Sequence, residues 1–558
     1  MNLRALLGNV CLWLCILLFL AGCVPIQAVP QPEATDMEGH EHTMDAAAEL
    51  GTVDFPISCS SEAQEEFNQG VALLHSFFFP PAIKSFEKVI ELDSTCAMPY
   101  WGIAMSRLGI PWSPTPADAL AAGQEAVDAA LALGGKTPRE QAYIDAIAAF
   151  YQDYATQDHG TRARAYEAAM AQLVADFPDD LEAKVFYALA LNITASPTDK
   201  TYANQTKARE ILEPLMAEHP NHPGVVHYLI HTNDYPSLAA QGLEAAERYA
   251  SIAPAAPHAL HMPSHIFTRL GYWQESIETN RASAEVAQAS LPVDAAPDTA
   301  VEQALHDKDY MMYAYLQLAQ DGAAKDLVDE IGAVKQATGG FTAAYALAAM
   351  PARYVLERGA WDEAASLTLN PPDRAWERFP QAEAALVFAR GLGAARRGDV
   401  AAANQELERL HELHDALVAA NDAYWSGQVE IQTTEVAAWI ALAEGKNDEA
   451  RTLMQTAAAQ EDLTEKHPVT PGPLKPAHEL LGELLLALNE PAAALPEFEQ
   501  SQQIEPNRFW GWYGAARAAE LAGDSDTAKS NYRQLLTLVA NADSERPEIE
   551  QAQTFLAE

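Results

Sequence analysis

The stretch that decides the fold runs from residue 475 to residue 542: KPAHELLGELLLALNEPAAALPEFEQSQQIEPNRFWGWYGAARAAELAGDSDTAKSNYRQLLTLVANA. Small and aromatic residues recur in it 34 positions apart: Gly482 and Ala516, Ala494 and Ala528, Phe498 and Tyr532. Small residues let two crossing helices approach closely, and the aromatic residue packs on the next unit. The spacing therefore predicts repeated helical hairpins.

This pattern resembles the tetratricopeptide repeat, a helix–turn–helix unit of about 34 residues. The same register continues near the N-terminus at Gly70, Ala82 and Phe86, and a second unit opens at Tyr100-Trp101-Gly102. The resemblance implies an all-α superhelical solenoid of about ten to twelve helical hairpins. The segments 70–105 and 258–271 are also similar to a group of secreted bacterial tetratricopeptide proteins, which implies the same fold.

Composition narrows the possible partners. The chain has 558 residues, with 78 Asp plus Glu against 35 Lys plus Arg, and a formal net charge of −43. Nucleic acids and anionic lipid surfaces require a cationic patch on their partner, so both are disfavoured. Apolar residues make up 49% of the chain, which is enough to bury a core and argues against wholesale disorder.

The N-terminus has the features of an exported protein. Residues 1–22 carry a short positive region followed by an apolar run, which is typical of a signal peptide. Leu20-Ala21-Gly22-Cys23 resembles the lipobox of bacterial lipoproteins, which implies cleavage before Cys23 and lipid attachment at that residue. The protein would then be lipid-anchored, with palmitate among the acyl groups, in the cell envelope. A plain signal peptide or an N-terminal membrane anchor remains the alternative.

The rest of the chain divides into four parts by composition and repeat register. Residues 23–52 are polar and read as a flexible tether. An N-terminal repeat array is expected over 53–290, a linker over 291–299 and a C-terminal array over 300–558. Cys59 and Cys96 form an even pair in an exported chain, which predicts a disulfide bond, with two buried thiols as the alternative.

Histidines concentrate in one part of the N-terminal array. His227 and His231 lie one helical turn apart, and His261 and His265 follow them by 34 residues, at the same repeat positions. Positions of this kind line the concave groove of tetratricopeptide arrays, so the four rings are expected to face one another. Further candidate metal ligands in the same register are His258, His306, Asp234 and Asp309.

Two such pairs on neighbouring helices can converge on one metal ion, because packed helices lie about 8–10 Å apart. Imidazole-rich ligation suits transition metals, with zinc or copper favoured here over calcium or magnesium. A polar groove that binds a peptide or small ligand remains open as an alternative. So does a purely structural network around Pro257 and Pro263.

The function expected is an exported, lipid-anchored scaffold that binds a protein or peptide and holds a transition metal in its groove. The alternatives are a metal-dependent enzyme that uses the same pocket and an adaptor without metal. Nucleotide-binding, metalloprotease and covalent haem motifs are absent from the sequence, so no nucleotide and no covalent haem are expected. Further groove candidates are His75, Trp101, Met105, Tyr235, Arg269, Trp510, Tyr513 and Arg517, although core filling is the commoner role of His75, Trp101 and Met105.

Overall fold

A computed structural model describes residues 49–292, 295, 296 and 298–558. The predicted signal peptide, Cys23 and the tether up to residue 48 lie outside these described residues. The described part of the chain contains 26 α-helices and two strands of two residues each. The strands β1 (Thr299–Ala300) and β2 (Gln336–Ala337) pair in parallel.

The helices follow one another in antiparallel pairs. The first thirteen are α1 Ser61–His75, α2 Phe79–Leu92, α3 Met98–Leu108, α4 Ala117–Leu133, α5 Pro138–Tyr151, α6 His159–Asp176, α7 Leu181–Thr194, α8 Ala203–Glu218, α9 Pro223–Asn233, α10 Leu243–Ile252, α11 Pro257–His261, α12 Pro263–Leu270 and α13 Trp273–Ala289. The rest are α14 Glu302–Gln317, α15 Asp321–Gly332, α16 Phe341–Glu357, α17 Trp361–Ala364, α18 Pro380–Arg396, α19 Val400–Ala419, α20 Ala423–Ala443, α21 Asn447–Glu461, α22 Ala477–Ala487, α23 Pro491–Ile504, α24 Phe509–Ala522, α25 Ser525–Leu538 and α26 Pro547–Ala557.

Twelve hairpins result within the described residues, from α1 with α2 to α24 with α25, and α26 packs on the last of them. In the sixth hairpin the first helix is broken into α11 and α12, both of which pack on α13. The prediction of an all-α repeat solenoid of tetratricopeptide type is confirmed. None of the described helices is long and apolar enough to cross a bilayer.

The spacing of glycine and aromatic residues explains how the hairpins stack. A Cβ atom on Gly482 would lie 2.6 Å from the ring of Phe498, and one on Gly514 would lie 2.2 Å from it. Phe498 therefore fits between a glycine of its own hairpin and a glycine of the next. Phe86 makes the same contacts with Gly70 and Gly102, at 2.7 and 2.5 Å.

The described cysteines pair as the sequence suggests. Cys59 precedes α1 and Cys96 precedes α3, and their Cα atoms lie 5.6 Å apart with the sulfur atoms bonded. The crosslink therefore closes one end of the first hairpin. The predicted linker 291–299 joins α13 to α14, which pack against each other. The boundaries of the two predicted arrays stay a prediction.

One connection crosses the inner helices instead of turning tightly. Residues 462–476, which we call the strap, join α21 to α22 and contact the ends or inner sides of α9, α14 and α16. Lys466 of the strap pairs with Asp234 at 2.8 Å, and Tyr310 donates a hydrogen bond to the Pro468 carbonyl at 3.1 Å. Arg353 donates to the carbonyl oxygens of Gly472 and Pro473. The strap thus covers part of the concave face beside the histidines.

Candidate metal centre

Six histidines come together on the inner helices of three consecutive hairpins. His227 and His231 lie on α9, and His265 lies on α12. His258 and His261 belong to the five-residue helix α11, which ends where Pro263 starts a new helix. His306 lies on α14. The pairs His227–His231 and His261–His265 therefore project from neighbouring helices, as their spacing predicted.

The six rings form two groups of three. Ring nitrogens of His227, His231 and His258 all lie within 4.8 Å of one another, and those of His261, His265 and His306 do the same. We call these groups the first and the second centre. All the rings are buried except that of His258, which is partly exposed. The groups adjoin, since the ring centroids of His231 and His265 are 5.7 Å apart.

In the first centre, the Nε2 atoms of His227 and His231 lie 3.1 Å apart. The Nδ1 atom of His227 lies 2.5 Å from the backbone oxygen of His75, so Nδ1 carries the proton and Nε2 carries a lone pair. His231 can donate to that lone pair, so this pair is satisfied with or without a metal ion. Nε2 of His258 is buried without a hydrogen-bond partner among the described residues.

In the second centre, the Nε2 atoms of His261 and His265 lie 3.0 Å apart. Nδ1 of His265 donates to Asp234 at 2.8 Å, and Nδ1 of His261 donates to the side-chain oxygen of Asn280 at 2.6 Å. The amide nitrogen of Asn280 donates to the Ser276 carbonyl, which fixes the orientation of that amide. In the neutral rings both Nε2 atoms therefore carry lone pairs that face each other.

Burial favours the neutral, metal-binding form of five of these rings, those of His227, His231, His258, His265 and His306. Loss of hydration lowers the pKa of His227 and of His265 to about 3. Burial also lowers the pKa of His231, His258 and His306 well below the ordinary value, and the neighbouring histidines add to the effect. Metal ligation requires an unprotonated nitrogen, so these directions agree with the geometry.

The two carboxylates expected near the metal have other partners. Asp234 accepts from His265 and pairs with Arg269 at 3.0 Å and with Lys466 at 2.8 Å. It therefore lies behind a ring, where it orients the ligand. Asp309 pairs with Arg353 at 2.9 Å. Neither carboxylate belongs to the groups of convergent ligand atoms.

A third buried group, His75, Glu182 and His222, was missed by sequence reasoning. Nε2 of His75 and Nε2 of His222 each donate to one oxygen of Glu182, both at 2.9 Å. Nδ1 of His75 accepts from the Tyr228 hydroxyl, and Nδ1 of His222 accepts from the Val225 amide. Every donor here meets an acceptor, so the group is complete as a hydrogen-bond network. No local sequence signal joins these residues, because Glu182 lies 107 positions from His75.

The structure buries several of the groove candidates. Trp101 and Met105 lie in the apolar core, where Trp101 packs on Phe55 and Phe186. Arg269 is buried in its pair with Asp234. At the other end of the chain, Trp510 donates to the Glu357 carbonyl, Tyr513 donates to Gln551, and Arg517 pairs with Glu520.

A cavity of about 250 Å³ reaches the first centre from the side. Its lining includes His231 and Asp234, together with Trp112, Tyr235 and His467 of the strap. Tyr235 is half-buried and its ring lies 5.2 Å from that of Tyr202. The cavity offers space for a small molecule next to a candidate ligand.

No family model and no curated protein matches the chain. Among solved structures it is similar to a tetratricopeptide repeat protein from Parabacteroides merdae, with 11% identity, coverage of 63% of this chain and 99% of the other, and a TM-score of 0.25. It is also similar to yeast Tom70, with 13% identity, coverage of 89% and 95%, and a TM-score of 0.31. The repeat type rests on this chain's own hairpins and on the packing of Phe498 between Gly482 and Gly514. On those grounds the fold of the chain is an all-α helical-repeat solenoid of the tetratricopeptide type.

Proposed function

We propose that this chain is an exported, lipid-anchored scaffold that binds transition metal ions through its two three-histidine centres. The supporting observation is the contact between Nε2 of His261 and Nε2 of His265 at 3.0 Å. Nδ1 of His261 faces oxygen atoms of Asn280 and Asp307, and Nδ1 of His265 faces Asp234, so with both rings neutral the two Nε2 lone pairs meet in a buried site. A metal ion bound by both nitrogens converts this repulsion into coordination, typically at about 2.0–2.1 Å for zinc.

The group of His75, Glu182 and His222 provides an internal comparison. It has the same size and burial, yet its nitrogen atoms and oxygen atoms pair as donors and acceptors without any ion. The second centre has no such pairing between its histidines. We therefore assign a structural role to the Glu182 group and metal binding to the second centre, with the first centre as its neighbour.

The ligand set favours zinc or copper. Three imidazoles suit borderline and softer transition metals, whereas magnesium and calcium prefer carboxylate and carbonyl oxygens. Asp234 and Asn280 hold two of the rings by their Nδ1 atoms, as the outer partners of ligating histidines commonly do.

Metal-dependent catalysis is a second candidate, supported by the number of ligands. Each centre offers three histidines, and a catalytic zinc site typically has three protein ligands and one open position. The cavity beside His231 gives a small substrate a place to bind. In this role Asp234 would orient His265, and the cavity lining would exclude bulk water.

Binding of a protein or peptide partner is also proposed, because stacked hairpins present extended concave surfaces. The strap occupies the inner face at α9, α14 and α16, so we place the partner on the rest of the array. Membrane attachment through Cys23 is a separate proposal. Changing Cys23→Ser should release the protein from the membrane fraction, while attachment that survives this change would refute the lipid anchor.

The metal proposal is tested by counting ions in the purified protein. The protein is loaded with Zn²⁺ or Cu⁺, freed of unbound metal by gel filtration and then submitted to elemental analysis. The analysis should find metal in the wild type and less in the double variant His261→Ala/His265→Ala. The variant His227→Ala/His231→Ala should lose the first centre. The control is His411→Ala/His414→Ala, which removes two histidines from the outward-facing side of one helix.

Equal metal content in the wild type and in the His261 and His265 variant would refute the second centre. Substitution with Co²⁺ gives an independent measurement, because its visible absorption reports the ligand geometry without any catalytic assay. A spectrum of fully hydrated Co²⁺ in the presence of the wild type would refute the proposal even if a variant failed to fold.

A further inference from the structure

A second cavity, of about 350 Å³, lies under the strap in the C-terminal half of the chain. Its walls come from α16, α18 and the four helices from α20 to α23, and the strap forms another side together with Arg269 of α12 and the loops near 200–202 and 236–237. No histidine of either metal centre lines it. An inference from this cavity is therefore independent of metal binding.

Aromatic and aliphatic side chains form one part of the wall. Tyr345, Phe388 and Trp425 line the cavity, and the rings of Tyr345 and Trp425 lie 5.3 Å apart. Ile431 and Leu474 add aliphatic surface. A wall of this kind favours a ligand with an apolar body, and ring faces attract cations.

The basic side chains of the wall all have partners of opposite charge, whereas two acidic side chains do not within the part of the chain that the structure describes. Each lining lysine or arginine has a carboxylate partner: Lys200 with Glu465, Arg269 and Lys466 with Asp234, and Lys475 with Glu483. Glu435 and Glu461 also line the cavity, and among the described residues neither lies within ion-pair distance of a cation. The wall therefore holds two acidic side chains that have no basic partner among the described residues.

Glu435 gives the strongest indication that a ligand binds in this cavity. Glu435 is 2% exposed, and its Oε1 atom has no hydrogen-bond partner among the described residues. Glu461 accepts one hydrogen bond from the Ala477 amide at 2.8 Å. An unpaired buried carboxylate is costly, so a cationic ligand that reaches it would be bound favourably.

We propose that this cavity binds a small organic cation, a primary amine on an apolar body, with its ammonium group at Glu435 and Glu461. The apolar body contacts the rings of Tyr345 and Trp425. A bare divalent metal ion fits less well, because hard cations require six or more oxygen ligands and part of the wall is aromatic. An anion would bind poorly, because it would lie next to the two acidic side chains.

The carboxylates also predict a proton signature. Burial raises the pKa of Glu435 well above its ordinary value and raises the pKa of Glu461 to about 7. An ammonium group beside them favours their ionised forms, so binding should release protons near neutral pH.

The test compares two probes of equal size by isothermal titration calorimetry. 2-Phenylethylamine should bind saturably, and 2-phenylethanol, which replaces the ammonium by a neutral hydroxyl, should bind at least about tenfold more weakly. Heats measured at pH 7 in buffers of different ionisation enthalpy should reveal proton release with the amine. Glu435→Gln and Glu461→Gln should each weaken amine binding by about tenfold.

The matched control is Glu430→Gln, an exposed glutamate on the same helix as Glu435, which should bind the amine like the wild type. Equal affinity of the wild type for the amine and the alcohol would overturn the proposal, and so would the absence of saturable amine binding. Wild-type affinity in both glutamine variants would overturn it too. If those variants fail to fold, the comparison of the two probes on the wild type still decides.

Discussion

The side-chain oxygen of Asn280 lies 2.6 Å from Nδ1 of His261 and holds that ring from α13, the second helix of the hairpin. The Asn280 amide nitrogen is bound in turn to the Ser276 carbonyl at 2.6 Å. This chain of contacts turns Nε2 of His261 towards His265. Asn280 is thus a positioning residue that touches no metal itself.

The first prediction concerns Asn280. Changing Asn280→Ala should weaken metal binding at the second centre by about 10–100-fold, because the ligand ring loses its orienting acceptor. Competition with a zinc-sensitive dye measures the affinity. Thr279→Ala serves as the control, since the Thr279 hydroxyl bonds only to backbone carbonyls of its own helix. Equal affinities in the wild type and the Asn280 variant would refute the positioning role.

The second prediction concerns Asp234 and acid. Burial alone would raise its pKa, but the charges of Lys466 and Arg269 hold the pKa of Asp234 well below the ordinary value. The folded value lies below the unfolded value of about 3.9, so this stabilisation is complete above about pH 5 and is lost as the pH falls. Asp234→Asn should therefore lower the free energy of unfolding by about 3–5 kcal/mol at pH 7.

Urea unfolding at several pH values checks this prediction. The curves for the wild type and Asp234→Asn should begin to converge below about pH 5 and continue to converge as the pH falls towards the folded pKa, because protonation removes the same charge that the substitution removes. For the control Asp326→Asn, at an exposed position on α15, the curve of unfolding free energy against pH should run parallel to that of the wild type. If the difference in the free energy of unfolding between the wild type and Asp234→Asn stayed constant with pH, the ion-pair explanation would be contradicted.

The third prediction concerns the stacking of hairpins. Gly514→Ala places a methyl group 2.2 Å from the Phe498 ring and should lower the free energy of unfolding by about 1–3 kcal/mol. Gly427→Ala, on the second turn of α20, is the matched control, because its added methyl group meets nothing within 4 Å. That change should raise the free energy of unfolding by about 0.5–1 kcal/mol. The same sign at both positions in urea unfolding would contradict the packing argument.

The fourth prediction concerns the strap. Arg353 donates to Thr470, Gly472 and Pro473, so Arg353→Met should loosen the strap. Brief trypsin digestion followed by mass spectrometry should show the first cut after Lys466 and at least about tenfold faster than in the wild type. Arg358→Met, which lies at the end of the same helix and pairs with exposed Glu363, is the control. Unchanged cleavage after Lys466 would show that Arg353 does not hold the strap.

Much of the fold was predictable because its signals are local. Gly482, Phe498 and Gly514 lie within two consecutive hairpins, and their spacing determines how those hairpins pack. The pairs His227–His231 and His261–His265 followed from the same register, but each pair belongs to its own three-histidine group, and the four do not converge on one ion as expected. Each of these inferences needs only one repeat and its neighbour.

The outer parts of the site were not predictable in this way. Asp234 was expected as a ligand, but its partner Lys466 lies 232 residues further along the chain. Asp309 likewise pairs with Arg353, which belongs to a different hairpin. The repeat register places such residues on the inner face but cannot tell which of them meet across it. The repeat register was also insufficient for Trp101. Its position predicted a groove residue, but neighbouring side chains bury it in the core.

The contact between Asp234 and Lys466 has a consequence for the order in which the protein is made. At a synthesis rate of about 5–20 residues per second, Lys466 follows Asp234 by roughly ten to fifty seconds. All six histidines and Arg269 are present in the nascent chain before Lys466, the second cation paired with Asp234, exists. A polypeptide that ended before residue 462 would carry every proposed ligand, yet it would lack the strap that covers the inner face beside the histidines.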